Sequence, residues 1–353
     1  VDAGDPTGVV VEDAADAVWS AVAPGRERMA ALVRAAQARA NELGVTGVHD
    51  MVRRSAAPAV YRDLDLAGEL TVRVRVNYWA DHLDALDELG LRPGHGSEMV
   101  RTGAVKTFSD GSIGGHTAKL STPYADDPDE RGEWVVAPDE LREVVHRADA
   151  AGRQVAVHAI GDEAIAEALD AFAAAGSGGD DGDDGGREAR HRVEHAEVLT
   201  DDLVARLGAT DVVVSAQPNF LKWAREDGLY AARLGDERRL ASNRYRALLD
   251  AGAALAFGSD CMPLSPLFGV QQAVTAPGEG QRLSVTEALR AYTRGSASAG
   301  FDEGRLGTVE RGKLADLVVL ERSPWDVGPG EVGGVGVAKT IVGGEVVYDG
   351  TAD

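Results

Sequence analysis

Apolar residues recur along this chain in two alternating periods. From Arg26 to Leu43 they place Met29, Leu32, Val33, Ala36 and Ala40 on one helical face, and Val45-Thr-Gly-Val-His-Asp50 then reads as a strand. The unit repeats. Helical stretches at 56–67, 81–89, 138–151, 163–175, 201–207 and 239–251 precede apolar runs at 71–77, 103–108, 154–158, 191–195, 212–217 and 254–260, and a helix over 284–299 closes the series. Strands alternating with helices form a parallel sheet. Seven strands are counted, one fewer than a closed barrel of this kind needs. A helix precedes the first strand and the chain starts at Val1 rather than Met, so the missing strand is expected upstream and the chain is expected to be a fragment.

The fold class expected is therefore α/β: a (β/α)8 TIM-like barrel over 1–303, incomplete at its N-terminus. From Gly304 the pattern changes to short β-like runs at 316–320 and 339–348, the latter a hairpin with a Gly-Gly turn. This predicts part of a small β-domain over 304–353. A glycine- and aspartate-rich segment, 176–186, lies between a helix and the next strand and is expected to be a surface loop away from the chemistry. Two long connections, 110–137 and 218–238, follow strands instead, on the face where barrel enzymes build their sites.

The chain has 353 residues and a formal charge of −22. Only five of its basic residues are lysines: Lys106, Lys119, Lys222, Lys313 and Lys339. An acidic, lysine-poor surface suits concentrated salt, where screening suppresses self-repulsion, and is read as halophilic. With no basic stripe, nucleic acid is not an expected partner. No apolar run is long enough to span a membrane, and a single cysteine, Cys261, permits no internal disulfide, so a reducing cytoplasm is expected.

The chemistry concentrates at strand ends. Val155-Ala-Val-His158, Arg192-Val-Glu-His195 and Ala254-Leu-Ala-Phe-Gly-Ser-Asp260 each finish on a metal-ligand residue type. A single strand histidine is more often satisfied by a backbone carbonyl; two at successive strand ends favour a metal such as zinc at His158 and His195. Asp260 is read as a ligand and as the acceptor of a water proton, or else as a helix cap. Glu194, one residue before His195, is expected on the opposite face in a structural role. A Cys261 nucleophile lacks an assignable base. Lys106 sits mid-strand, where a buried ammonium is costly, so it needs an anion or a modification such as carbamylation, unless it faces outward. Asp110 and Gly111, in a glycine-rich turn, and Gln217, at a strand end, are taken as substrate-binding. His116 is taken as substrate-contacting or as a solvated loop residue.

The residues resemble those of the amidohydrolase superfamily, in the amidohydrolase family 3 branch with its N-substituted formamide deformylase-like enzymes. The stretches that carry the resemblance are Gly44-Val-Thr-Gly-Val-His-Asp-Met51, Val105-Lys-Thr-Phe-Ser-Asp-Gly-Ser112, His158-Ala-Ile-Gly-Asp162, Arg192-Val-Glu-His-Ala196, Ser215-Ala-Gln-Pro218, Gly258-Ser-Asp260 and the tail 304–320. The resemblance implies that the tail re-enters a small β-sandwich. It implies that Lys106, carbamylated, bridges two metals, that His158 and His195 bind one of them, and that Asp260 touches the other and serves as general base. A metal-activated hydroxide would then cleave the C–N bond of a small-molecule amide, formamide or cyclic amide or amidine, with one or two divalent ions, most simply Zn²⁺. A homodimer is common among relatives. The family's His-x-His pair at the first strand occurs nowhere here. That absence keeps open an inactive fragment or a non-catalytic barrel with a binding or assembly role.

Overall fold

The computed structural model describes residues 8, 17–19, 21–52, 56–176 and 189–352; most of the acidic segment at 176–186 lies outside them. Seven parallel strands form one curled sheet in chain order: β1 Gly47–Val52, β2 Arg73–Trp79, β3 Val100–Phe108, β4 Val155–Ala159, β5 Arg192–His195, β6 Val213–Ala216 and β7 Ala254–Phe257. The sheet is a half-barrel whose edges are β1 and β7; among the described residues no strand pairs with either outer edge.

The strands are short and β-branched, and alternation sends one set of side chains out under the helices. Val155, Val157 and Ala159 of β4, Val193 of β5, Val214 of β6 and Leu255 of β7 enter the main apolar core with Leu141, Val145, Ile165 and Phe172. The helix Pro138–Ala150 shows why such segments fold locally. Proline opens it, Asp139 and Glu140 occupy its first turn, and Leu141, Val145 and Ala148 form a buried stripe. Full burial of each larger member of that stripe stabilises the fold by about 1.5–3 kcal/mol.

Two helices depart from the sequence pattern. The stretch expected as one helix over 239–251 is interrupted: one helix, Leu229–Leu240, ends there, and Tyr245–Asp250 begins after Asn243, which has φ 48° and whose amide bonds the carbonyl of Glu197. The final helix over 284–299 is α-helical at Val285–Arg290 and Ser296–Ala299, with a π-helical turn at Ala291–Gly295 between them. That turn lies against β7, where Gly295 approaches the Leu255 carbonyl so closely that a Cβ would collide with it. Ser296 donates its hydroxyl to Phe257 O at 2.8 Å.

The C-terminal strands β8 Leu317–Leu320, β9 Val337–Val342 and β10 Glu345–Asp349 form a separate antiparallel sheet. The β9–β10 turn is Gly343-Gly344, with φ 59° and 89°, a conformation that excludes most side chains. Arg73 of β2 reaches Asp316 through two bonds of 2.6 and 2.8 Å and so fastens this sheet to the barrel.

Candidate active site

The face of the sheet turned away from the helices is polar, and it carries the site. His158 on β4 and His195 at the end of β5 meet edge to face with ring centroids 4.5 Å apart. Each ring uses one nitrogen on a protein oxygen. His158 donates from Nε2 to Gly111 O at 2.8 Å, and His195 donates from Nδ1 to Gln217 Oε1 at 2.7 Å. Those bonds leave Nδ1 of His158 and Nε2 of His195 as lone-pair donors. Burial holds both imidazoles below their usual pKa range, so both are neutral at pH 7.

His195 reaches this position through its backbone. Alternation along β5 would send it outward with Val193, but His195 and Ala196 adopt left-handed conformations, φ 76° and 50°, and the ring turns inward. Such backbone costs about 1–3 kcal/mol per residue and concentrates at functional sites. Glu194 is consequently not on the far side from the histidines. It is buried with Arg192, Oε1 to Nε 2.7 Å, and its charge acts on both Lys106 and His195. Arg192 also bonds Ser215 Oγ at 2.9 Å and His49 Nδ1 at 2.9 Å. An Arg-x-Glu pair inside an apolar strand is a sequence signal for this network, by the reasoning that singled out Lys106.

Lys106 is buried, its Nζ 2.7 Å from Thr107 O and 3.4 Å from the centre of the Phe108 ring. Burial lowers its pKa to about 7 against the opposing pull of Glu194 and Asp260. Phe108 stacks on His158 and Phe220 lies parallel to His195, at 4.9 and 6.0 Å, so aromatic rings wall both imidazoles. Asp260 is exposed beyond β7 and, with Cys261, forms a second left-handed pair at φ 47° and 56°.

The residues read as substrate-binding have protein contacts of their own. Asp110 is fully buried; its carboxylate accepts from the amides of Ile160, Gly161 and Lys119 at 3.0, 2.8 and 2.8 Å. Burial nonetheless pushes its pKa up to about 7. Gly111 holds His158, and Gln217 holds His195. His116 Nε2 lies 3.0 Å from Asp126 Oδ1, and Asp126 pairs with Arg233. That chain joins the two long connections, as do the bonds from Arg238 to Thr122 O and Pro123 O.

A family model described as the amidohydrolase family matches residues 2–348. The chain belongs to the amidohydrolase family. Among relatives of this amidohydrolase, the Arabidopsis thaliana protein LONG AFTER FAR-RED 3 is 33% identical over 369 residues, 98% of this chain and 62% of that one. The N-substituted formamide deformylase of Arthrobacter pascens is 27% identical over 371 residues, 99% and 66% of the two chains. Among solved structures, a metal-dependent hydrolase from Pyrococcus furiosus aligns with TM-score 0.79 and 34% identity over 90% of this chain and 65% of its own. The chain thus spans under two thirds of the length of these relatives.

Amidohydrolase chemistry of the metal-dependent kind needs neutral imidazoles with fixed tautomers, and the His158–His195 pair meets that requirement. The donor set fits a divalent cation as a half-site. No group of three His, Cys, Asp or Glu side chains close enough to hold an ion occurs among the described residues.

Proposed function

We propose that this amidohydrolase is a metal-dependent enzyme that hydrolyses the C–N bond of a small amide, formamide or cyclic amidine. One observation carries the reading: two buried neutral imidazoles meet edge to face, and each, anchored through one nitrogen, keeps a lone pair on the other. The likeness to an N-substituted formamide deformylase supports the choice of bond. His158 and His195 would hold the ion, and a carbamylated Lys106 would add an oxygen ligand to it. A divalent cation there, zinc being the simplest choice, supplies water activation and polarisation of the substrate carbonyl.

The chain's own residues do the rest. Gln217 and Gly111 fix the imidazole tautomers, and Asp260, exposed at the strand end, accepts the proton of the attacking water. The Lys106 amine, unprotonated in part near pH 7, adds to CO2; an N–C bond forms and one proton leaves to solvent, giving a carbamate. Phe108 and Phe220 wall the imidazoles with apolar surface.

Incubating the zinc-supplemented chain with a panel of N-alkyl formamides, acetamides and cyclic amidines tests the reading. Release of free amine that His195→Ala abolishes is the expected result; no release from any of them counts against it. The second reading is a non-catalytic barrel, favoured by the missing third ligand among the described residues. It predicts that zinc does not bind at the two histidines.

A further inference from the structure

Asp260 stands on a loop with two consecutive left-handed residues, Asp260 and Cys261, a conformation that persists only where surrounding contacts impose it. One contact on that loop comes from Asn219. This side chain is fully buried in the connection after β6, two residues past Gln217 and directly before Phe220. Its Nδ2 donates to Pro263 O at 2.6 Å, and its Oδ1 accepts from the Tyr292 hydroxyl at 2.9 Å. Both ends of the amide are therefore fixed, and its orientation is determined.

Two further observations place this contact under constraint. Tyr292 lies in the π-helical turn Ala291–Gly295, a rare geometry that often marks functional positions. The helix Pro266–Val274 passes the Asn219–Tyr292 bond at Gly269, where a Cβ would run into both the Tyr292 hydroxyl and Asn219 Oδ1. The backbone has been brought as close to this bond as glycine allows. A weaker tie, Lys222 Nζ to Met262 O at 3.0 Å, holds the same loop from its exposed side.

We propose that Asn219 is a positioning residue that fixes the loop bearing Asp260 at the C-terminal end of β7. The connection that bears it also supplies Phe220 to the His195 ring and continues from Gln217, the residue that anchors His195. Asn219 thus couples the β6 side of the site to the β7 loop. The proposal rests on the hydrolase reading for its catalytic meaning, while the geometric claim does not.

Cys261, the only cysteine and the neighbour of Asp260, gives a native reporter. A nitroxide attached there in the full chain reads loop mobility by electron paramagnetic resonance, without substrate. Asn219→Asp keeps the volume and the acceptor for Tyr292 but loses the donor to Pro263, so it should mobilise the label as strongly as Asn219→Ala. Tyr292→Phe, the mildest change, should mobilise it less, and the Tyr292→Phe, Asn219→Ala double variant no more than Asn219→Ala alone. Where turnover is measurable, kcat should fall about tenfold to a hundredfold with KM little changed. An unchanged label spectrum in both Asn219→Asp and Tyr292→Phe overturns the proposal. A mobile label in a protein that hydrolyses nothing upholds the positioning and counts against the hydrolase reading alone.

Discussion

Gln217 Oε1 accepts the Nδ1 proton of His195 at 2.7 Å, and this bond decides which nitrogen of His195 keeps its lone pair. Gln217 is itself buried and donates to Ser215 O, so its carboxamide cannot rotate freely. Removing such a supporting bond typically weakens metal binding about 10–100-fold. Gln217→Ala should weaken zinc binding by that amount in calorimetry, whereas Gln217→Glu, which keeps the acceptor, should retain most of it. Equal affinity in Gln217→Ala and the parent would show that the bond does not orient the ligand.

Lys106 links stability to pH. In the unfolded chain its amine holds a proton up to the ordinary value of 10.5; in the fold burial lowers that to about 7. Between the two the unfolded state binds the extra proton, so stability rises with pH across this window and is lost as pH falls through about 7. Lys106→Met should flatten that rise in melting temperature. Identical pH slopes for the two proteins would contradict the assignment. The same amine should take up ¹³C-labelled bicarbonate as a carbamate signal at alkaline pH, absent from Lys106→Met.

Asp110 holds the turn that follows β3. Three backbone amides point at its carboxylate, and an Asn side chain would turn an N–H group against at least one of them. Asp110→Asn is expected to cost about 2–4 kcal/mol in urea unfolding, because buried donors lose their acceptor. A loss below about 0.5 kcal/mol, the scale of an ordinary surface substitution, would mean the turn is held by other contacts.

The acidic surface makes a salt prediction. With 58 acidic against 36 basic residues, repulsion among carboxylates is expected to outweigh exposed pairs such as Arg34–Glu69. Raising KCl from about 0.1 M to about 1 M shortens the Debye length to roughly 3 Å and should raise the melting temperature. A flat or falling melting temperature would show that the ion pairs dominate.

Much of this architecture is legible in the sequence, because period-two and helical patterns report which residues face the apolar layer. All seven strands lie where the alternation puts them, and His158 is aimed by strand parity alone. His195 and Glu194 show where that logic stops. Parity placed Glu194 opposite the histidine, but left-handed backbone at His195 and Ala196 turns the ring inward, and no residue type there announces it. The helix over 284–299 fails for a similar reason: its π-helical turn answers to the close approach of Gly295 to β7, a tertiary contact. The roles read for Asp110, Gly111 and His116 rested on their place in a loop after a strand. What each side chain or carbonyl bonds depends on neighbours about 10 to 50 residues away, which a local pattern does not encode.

The most direct test of the account is zinc binding by the intact chain, measured by equilibrium dialysis with elemental analysis, beside the His158→Ala, His195→Ala double variant. The half-site predicts bound zinc in the parent and its loss in the double variant, with folding monitored by circular dichroism. Zinc bound equally by both, or by neither, would contradict a metal centre at these two histidines.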